Sequence, residues 1–375
     1  MQIVSATDPA AWDAFLSRQR FRPFLQSWAM GEVYRDIGQS PVRLLIEDKG
    51  IIQGICFGHI VDAKRGRHLS VPYGPVVSDQ RPATSDQQTE LLSLMEELKR
   101  IARSKGCSFI RISPIWPLPA TSYQLPATIP SPLHLLAEQV WYLPLTKEDQ
   151  WLSDKRQASS VKCHPRTEEE FLMSMRKTTR NLIRRAERDG VEVTASSDPV
   201  ADLETFINLH DETRKRHGFT PYSNAFFRAQ VKHFAANDEC TVYLAKHQGQ
   251  ILATSVHMHA FGETSYHHGA SVQSKVPASY LLQWRAIQDA LKRGDHIYNF
   301  WGIAPMGDRK SEVGDQETKN QQPKTKNHPF AGVTLFKTGF GGTSLPLIHC
   351  RDLPLTPKYW LTYAFETMRK WKRGF

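Results

Sequence analysis

The segment Leu335-Phe336-Lys337-Thr338-Gly339-Phe340-Gly341-Gly342 sets a lysine after an apolar, strand-like run and ahead of three glycines in four residues. Glycines at such a place let a backbone approach a ligand closely or take positive φ. A partly desolvated lysine there can bind phosphate or stabilise an oxyanion. The chain has no G-x-x-x-x-G-K-[ST] loop, so this is not a nucleotide P-loop. The plainer alternative is an exposed lysine beside a tight turn. A second constellation is basic. Arg176, Arg180, Arg184 and Arg188 recur at every fourth position of a helix predicted over 167–188 and ended by Gly190, with Lys177 and Arg185 beside them. Phe171, Met175, Leu182, Ile183 and Ala186 supply its apolar side. Like charges at this spacing repel by a few tenths of a kcal/mol per pair. A phosphate backbone relieves that repulsion while releasing counterions; a solvated helix face is the other reading.

The third group is His257, His259, His267 and His268. A two-residue hairpin turn at Gly262-Glu263 predicts His257 opposite His268 and His259 opposite Tyr266, all on one face. Two histidines and a tyrosine can ligate a metal, but no carboxylate or cysteine joins them. Ligand-binding or core roles are therefore expected, and no metal. The five cysteines (Cys56, Cys107, Cys163, Cys240, Cys350) lack C-x-x-C spacing and fit reduced thiols. No G-x-S-x-G elbow supports a serine nucleophile.

The elements that must position these groups read as one pattern used twice. Val42–Ile46, a turn at Asp48-Lys49-Gly50, Ile51–Ile60 and the apolar stretch Leu69–Val77 precede a helical run, 85–104, with Leu91, Leu92, Met95, Leu98 and Ile101 on one side; a strand over 108–113 follows. Thr241–Ala245, a turn at Gln248-Gly249, Ile251–Phe261, Thr264–Ser271, a helix over 278–292 and a strand over 296–300 repeat the order. Helices are also predicted near 198–217 and 224–235. Residues 146–166 read as a crossover linker and 305–327, almost without apolar residues, as a flexible loop or lid. The chain of 375 residues, 40% hydrophobic and 23% charged, is long enough for a sizeable core and carries a net charge of +10, which favours anionic partners. It has no run long enough to span a membrane and no signal-peptide pattern at its start, so a cytoplasmic protein is expected. Tyr359–Arg373 mixes Trp360, Tyr363, Phe365, Met368 and Trp371 with Arg369, Lys370, Lys372 and Arg373; it reads as a helix docked on the body, with a peripheral contact to an anionic membrane as the alternative.

Several motifs stand in the order in which one family carries them. Met175 to Arg184 (MRKTTRNLIR), His268-Gly269-Ala270-Ser271, Pro277 to Trp284 (PASYLLQW), Asn299-Phe300-Trp301-Gly302-Ile303 and Phe336 to Gly342 (FKTGFGG) closely resemble the FemABX family, the non-ribosomal peptidyltransferases that build peptidoglycan cross-bridges. Gln26-Ser27-Trp28 with Gly31 looks like that family's N-terminal signature, and the similarity runs from about residue 20 to about residue 345.

The resemblance implies an α/β (α+β) chain of two tandem GNAT-like domains, 1–159 and 160–344, with residues 345–375 packing back on the first and no coiled-coil arm. It implies transfer of an amino acid from aminoacyl-tRNA to the stem-peptide amine of a peptidoglycan precursor, UDP-linked or lipid-linked, by a monomer in the cytoplasm or at the inner face of the membrane. An aminoacyl ester is already activated, so no cofactor is expected beyond the charged tRNA. Lys337, preceded by Phe336, falls on the family's Phe-Lys pair, whose lysine stabilises the tetrahedral transition state. The family's two phosphate-binding positions fall near Tyr34 and Tyr222, neither of them basic; Arg35 is the substitute for the first. Ser113 stands near a family acidic residue and is a poor base. Phe226, Tyr266 and His268 complete the expected substrate-binding set, and Arg176, Arg180, Arg184 and Arg185 the expected tRNA-binding set. The rivals are a coenzyme A-dependent GNAT acyltransferase, whose [RQ]-x-x-G-x-[GA] loop Asn299 to Ala304 only approaches, and a non-catalytic nucleic-acid-binding protein.

Overall fold

The computed structural model describes residues 1–64, 66–78, 85–118, 125–147, 165–217, 222–305 and 328–373. In chain order the elements are β1 (Gln2–Ser5), α1 (Pro9–Ser17), α2 (Trp28–Asp36), β2 (Pro41–Asp48), β3 (Ile51–Val61), β4 (His68–Pro72), β5 (Val76–Val77), α3 (Ser85–Ser104), β6 (Phe109–Ser113), β7 (Ile129–Pro130) and β8 (Gln139–Pro144). There follow α4 (Glu168–Ser174), α5 (Lys177–Arg188), β9 (Glu192–Ala195), α6 (Pro199–His217), α7 (Asn224–Ala235), β10 (Cys240–His247), β11 (Gln250–Ala260), β12 (Glu263–Ser271), α8 (Ala278–Arg293), β13 (Ile297–Gly302), α9 (Ala331–Thr338), β14 (Thr343–Pro346), β15 (Arg351–Pro354) and α10 (Tyr359–Arg373). The linker predicted at 146–166 and the loop predicted at 305–327 fall almost wholly outside the described residues.

The chain divides into two compact units, 1–138 with 346–375, and 139–345. The first holds a sheet in the order β1-β2-β3-β4-β6-β15-β7, with β5 beside β3; the second holds β14-β8-β13-β12-β11-β10-β9. Among the described pairings, β4 with β6 in the first sheet and β12 with β13 in the second are parallel. A helix, α3 or α8, supplies the long crossover that a parallel pair requires. The likeness extends to detail. The β2–β3 and β10–β11 hairpins turn on Lys49-Gly50 and Gln248-Gly249, all at positive φ, and each carries a register shift near the turn, at Ile46/Glu47 and Ala245/Lys246. The boundary read at 159/160 moves to 138/139, because β8 pairs with β13 in the second sheet. In return β15, from the C-terminal stretch, pairs with β6 in the first.

The helical stripe on α3 also shifts. Leu91, Leu94, Met95, Leu98 and Ala102 are the buried set, while Leu92, expected inside, is exposed. Spacings of three, four, seven and eleven keep one face on the strands. In the second unit α8 buries Leu282, Trp284, Ala286, Ile287 and Ala290 against β10 and β13, and Gly294 ends it at positive φ.

Candidate active site

Strands β12 and β13 are hydrogen-bonded in parallel only from Glu263–Ser265 to Ile297–Asn299. Beyond that point β13 keeps its pairing with β8 alone, with its register broken between Asn299 and Gly302. Trp301 takes φ +66 there, and its amide donates to Asn299 Oδ1 at 2.7 Å. A gap therefore opens between Tyr266 and His267 on one strand and Trp301 and Gly302 on the other.

Lys337 enters this gap from the last turn of α9. The segment before the glycines is helical rather than the strand expected, so successive side chains leave it 100° apart. Phe336 consequently packs away from the lysine, edge-on to Tyr280 and Phe340 with centroids 4.9 and 5.4 Å apart. Lys337 is only 7% exposed. Its Nζ donates to the carbonyl of Gly302 at 2.7 Å and lies 5.7 Å from the centre of the Tyr266 ring. Burial alone pushes its pKa from 10.5 down to about 7. One of three ammonium hydrogens is committed to Gly302; the group can turn the rest towards a developing negative charge.

Tyr266 is held over Gly269: a Cβ on Gly269 would stand 1.8 Å from the tyrosine hydroxyl oxygen. Across the gap the His267 and Trp301 rings meet at 4.9 Å, and burial pushes His267 down to about 3, so it is a neutral imidazole. His268 lies 3.9 Å from it and packs edge-on to Phe227 at 4.8 Å. Tyr222 stacks on Phe226 at 4.4 Å and meets His268 at 5.7 Å. Of the residues named from the sequence, Lys337 and Tyr266 thus form one cluster and Tyr222, Phe226 and His268 a second. His267, Trp301 and the Gly302 carbonyl connect them. His267 belongs to the histidine group named from the sequence, while Trp301 and Gly302 carry no signal beyond the Asn299–Ile303 motif, since a positive φ on tryptophan is not legible in local sequence.

The histidine pairing is corrected. The turn is Phe261-Gly262, with Ala260 opposite Glu263, and a bulge at Val256/His257 leaves His257 opposite Tyr266, His259 opposite Thr264 and Val256 opposite His268. The extra residue puts His257 and His268 on opposite faces. His257 Nε2 meets the Tyr298 hydroxyl at 2.7 Å, and Tyr298 donates to Gln283 Oε1 at 2.6 Å. Both nitrogens of His259 are held by hydroxyls, Thr264 and Thr241, at 2.8 Å. These are core hydrogen bonds. Among the described residues no group of three or more histidine, cysteine or carboxylate side chains is placed to hold a metal.

The continuous basic helix is corrected too. Met175 and Arg176 are extended and separate α4 from α5, with the Arg176 amide donating to the Gly339 carbonyl at 2.9 Å. The Arg176 guanidinium bonds Thr338 Oγ1 and the Leu335 carbonyl, bracing α9. Arg180 turns back on α4 and donates to the carbonyls of Leu172, Met173 and Met175 at 2.9–3.1 Å. These are the acceptors a helix end leaves unpaired. Arg185 pairs with Asp189 at 3.3 Å. Arg184 is exposed, as are Lys177 and Arg188, and positions 177, 184 and 188 share one face of α5.

Tyr34 and Arg35 belong to the first unit. Tyr34 stacks flat on His59 at 3.6 Å, and Arg35 pairs with Glu32, which also holds Arg43 at 2.8 Å. A Cβ on Gly31 would stand 2.0 Å from an Arg43 guanidinium nitrogen, which explains the glycine after Trp28. Arg43 itself lies over the Trp28 ring at 4.0 Å. Ser113 is buried at the end of β6.

The model of the FemAB family matches residues 7–255 and 244–367. No curated protein matches the chain by sequence. Among solved structures, that of FemX is similar at a TM-score of 0.73 with 16% identity, covering 98% of this chain and 100% of its own. L-PGS from Bacillus licheniformis is similar at 0.51 with 13% identity, covering all of both chains. A tandem GNAT protein from the clavulanic acid biosynthesis pathway is similar at 0.50 with 11% identity, covering 95% and 99%. At these identities the structural likeness is one of fold: two tandem GNAT-like domains.

Proposed function

Because the chain belongs to the FemAB family, we propose that it is an aminoacyltransferase that moves an amino acid from aminoacyl-tRNA to the stem-peptide amine of a peptidoglycan precursor, UDP-linked or lipid-linked. The observation that carries this reading is Lys337, a buried amine held in a gap by one carbonyl. In the reaction the neutral acceptor amine attacks the ester carbon, and the carbonyl oxygen becomes an oxyanion. The Lys337 ammonium donates to that oxygen. The bond to the ribose oxygen then breaks, and the proton lost by the amine ends on the ribose hydroxyl. Beyond this cation, the protein's contribution is to position the two reactants. Reactants of this kind place the reaction in the cytoplasm.

The acetyl-CoA rival has less support. Asn299 to Ala304 includes the irregular end of β13, while the turn before α8, residues 272–277, has no glycine and ends in Pro277, which offers no N–H to a pyrophosphate. Incubation with charged tRNA and precursor, read by mass spectrometry, is expected to give the aminoacylated stem peptide. Acyl transfer from acetyl-CoA in its place would overturn the reading.

Two substitutions test its parts. Gly269→Ala displaces the Tyr266 ring that lies beside Lys337. Transfer is expected to fall about tenfold to a hundredfold, with the circular dichroism spectrum unchanged, since small misplacements near the chemistry are costly. For tRNA, the free face of α5 is the better surface. Arg184→Glu is expected to weaken tRNA binding and make the slope of log K against log salt less negative by about 1. Arg180→Ala should instead lower the melting temperature, because it leaves three helix-end carbonyls unmet.

A further inference from the structure

The inward face of α10 is fully used. Tyr359 is buried with its hydroxyl on Asp352 at 2.9 Å, Thr362 is buried, and Glu366 meets Arg111 at 2.7 Å. The outward face has a different composition. Trp360 is 54% exposed, Leu361 76%, Met368 49% and Trp371 87%. On a helix of 3.6 residues per turn, positions 360, 361, 364, 368 and 371 fall within about a third of the circumference. The helix thus carries two faces, one docked and one apolar and uncovered. Lys358, Lys370 and Lys372, all exposed, and Arg369 surround the apolar stripe.

We propose that the outward face of α10 docks on an anionic lipid bilayer, with Trp360 and Trp371 at the headgroup level. Two arguments select this occupant. Tryptophan with leucine and methionine on one face, framed by lysine and arginine, is the composition of helices that lie in a membrane interface. A second copy meeting this face by two-fold symmetry would bring the same cations together, whereas an anionic surface attracts them. The inference goes beyond the transferase reading and holds for either form of the precursor.

The test uses the full chain and vesicles of phosphatidylcholine with and without phosphatidylglycerol. Sedimentation with the anionic vesicles is expected, with a blue shift of tryptophan emission, and sedimentation with pure phosphatidylcholine should be weak. Trp360→Ser with Trp371→Ser is expected to lower vesicle partition at least about tenfold, as is Lys370→Glu with Lys372→Glu. Neither pair should change transfer to a soluble precursor or the melting temperature, since the docked face is untouched. Vesicle binding that survives both pairs overturns the proposal. So does a chain that ignores vesicles, including one that instead self-associates through these tryptophans in sedimentation velocity.

Discussion

Lys337→Met is expected to abolish transfer and to raise the melting temperature at neutral pH. Removing one donor to an oxyanion costs about 2.7–4 kcal/mol of barrier, a factor of about a hundred to a thousand in kcat. Precursor binding is expected to survive, because the reacting centre rather than the ground state uses this amine. The stability effect has the opposite sign. The pKa of Lys337 falls from 10.5 to about 7 in the folded chain, a differential interaction on the order of 5 kcal/mol. Between these values the unfolded chain binds more protons, so stability rises with pH there. The penalty of the native lysine is fully present below about pH 7 and shrinks as pH rises towards 10.5. A methionine of similar length removes the penalty, offset in part by the Gly302 carbonyl that it leaves unpaired. The gain in melting temperature should therefore be larger at pH 7 than at pH 9. Equal gains at both values, or a loss, would show that the amine is not held where it resists charging. The native enzyme should show the same group in kcat/KM, falling as pH rises through about 7, because the cation is the useful form. A rise through that range would make the neutral amine the useful form and the lysine a base.

Arg111→Met is the second large effect. On β6, the Arg111 guanidinium grips Asp352 through Nε and Nη2, each at 2.8 Å, and reaches Glu366 on α10 at 2.7 Å. Asp352 is fully buried and also accepts from Tyr359. Taking the arginine away leaves buried carboxylates without their cation, a loss of about 3–5 kcal/mol. Unfolding by urea is expected at a markedly lower midpoint. The triple variant Arg111→Met, Asp352→Asn, Glu366→Gln should recover much of the loss, since neutral groups need no counter-charge. This cluster fastens α10 and β15 to the first unit. Its removal is therefore expected to loosen the helix proposed to meet the bilayer, whereas the outward tryptophans can be changed without touching it.

Local rules account for what could be read from the residues. The hairpins at Lys49-Gly50 and Gln248-Gly249 follow from residues that accept positive φ, and α3 and α8 follow from apolar periodicity and a stopping glycine, Gly106 and Gly294. The repeated order of strands and helix, and the motifs that mark the family, are likewise properties of short stretches read in sequence. Partners distant in the chain decided the rest. That α4 and α5 separate at Met175-Arg176 depends on the Gly339 carbonyl, and that Arg176 and Arg180 turn inward depends on acceptors in α9 and at the end of α4. The bulge that sends His257 and His268 to opposite faces is a one-residue matter in pairing, which alternation alone does not reveal. Lys337 was visible as a lysine beside glycines. Its depressed pKa comes from burial beside β12 and β13, which only the folded chain supplies. Short-range chemistry specifies the elements; burial, register and charge state arise only when elements far apart in sequence close around one another.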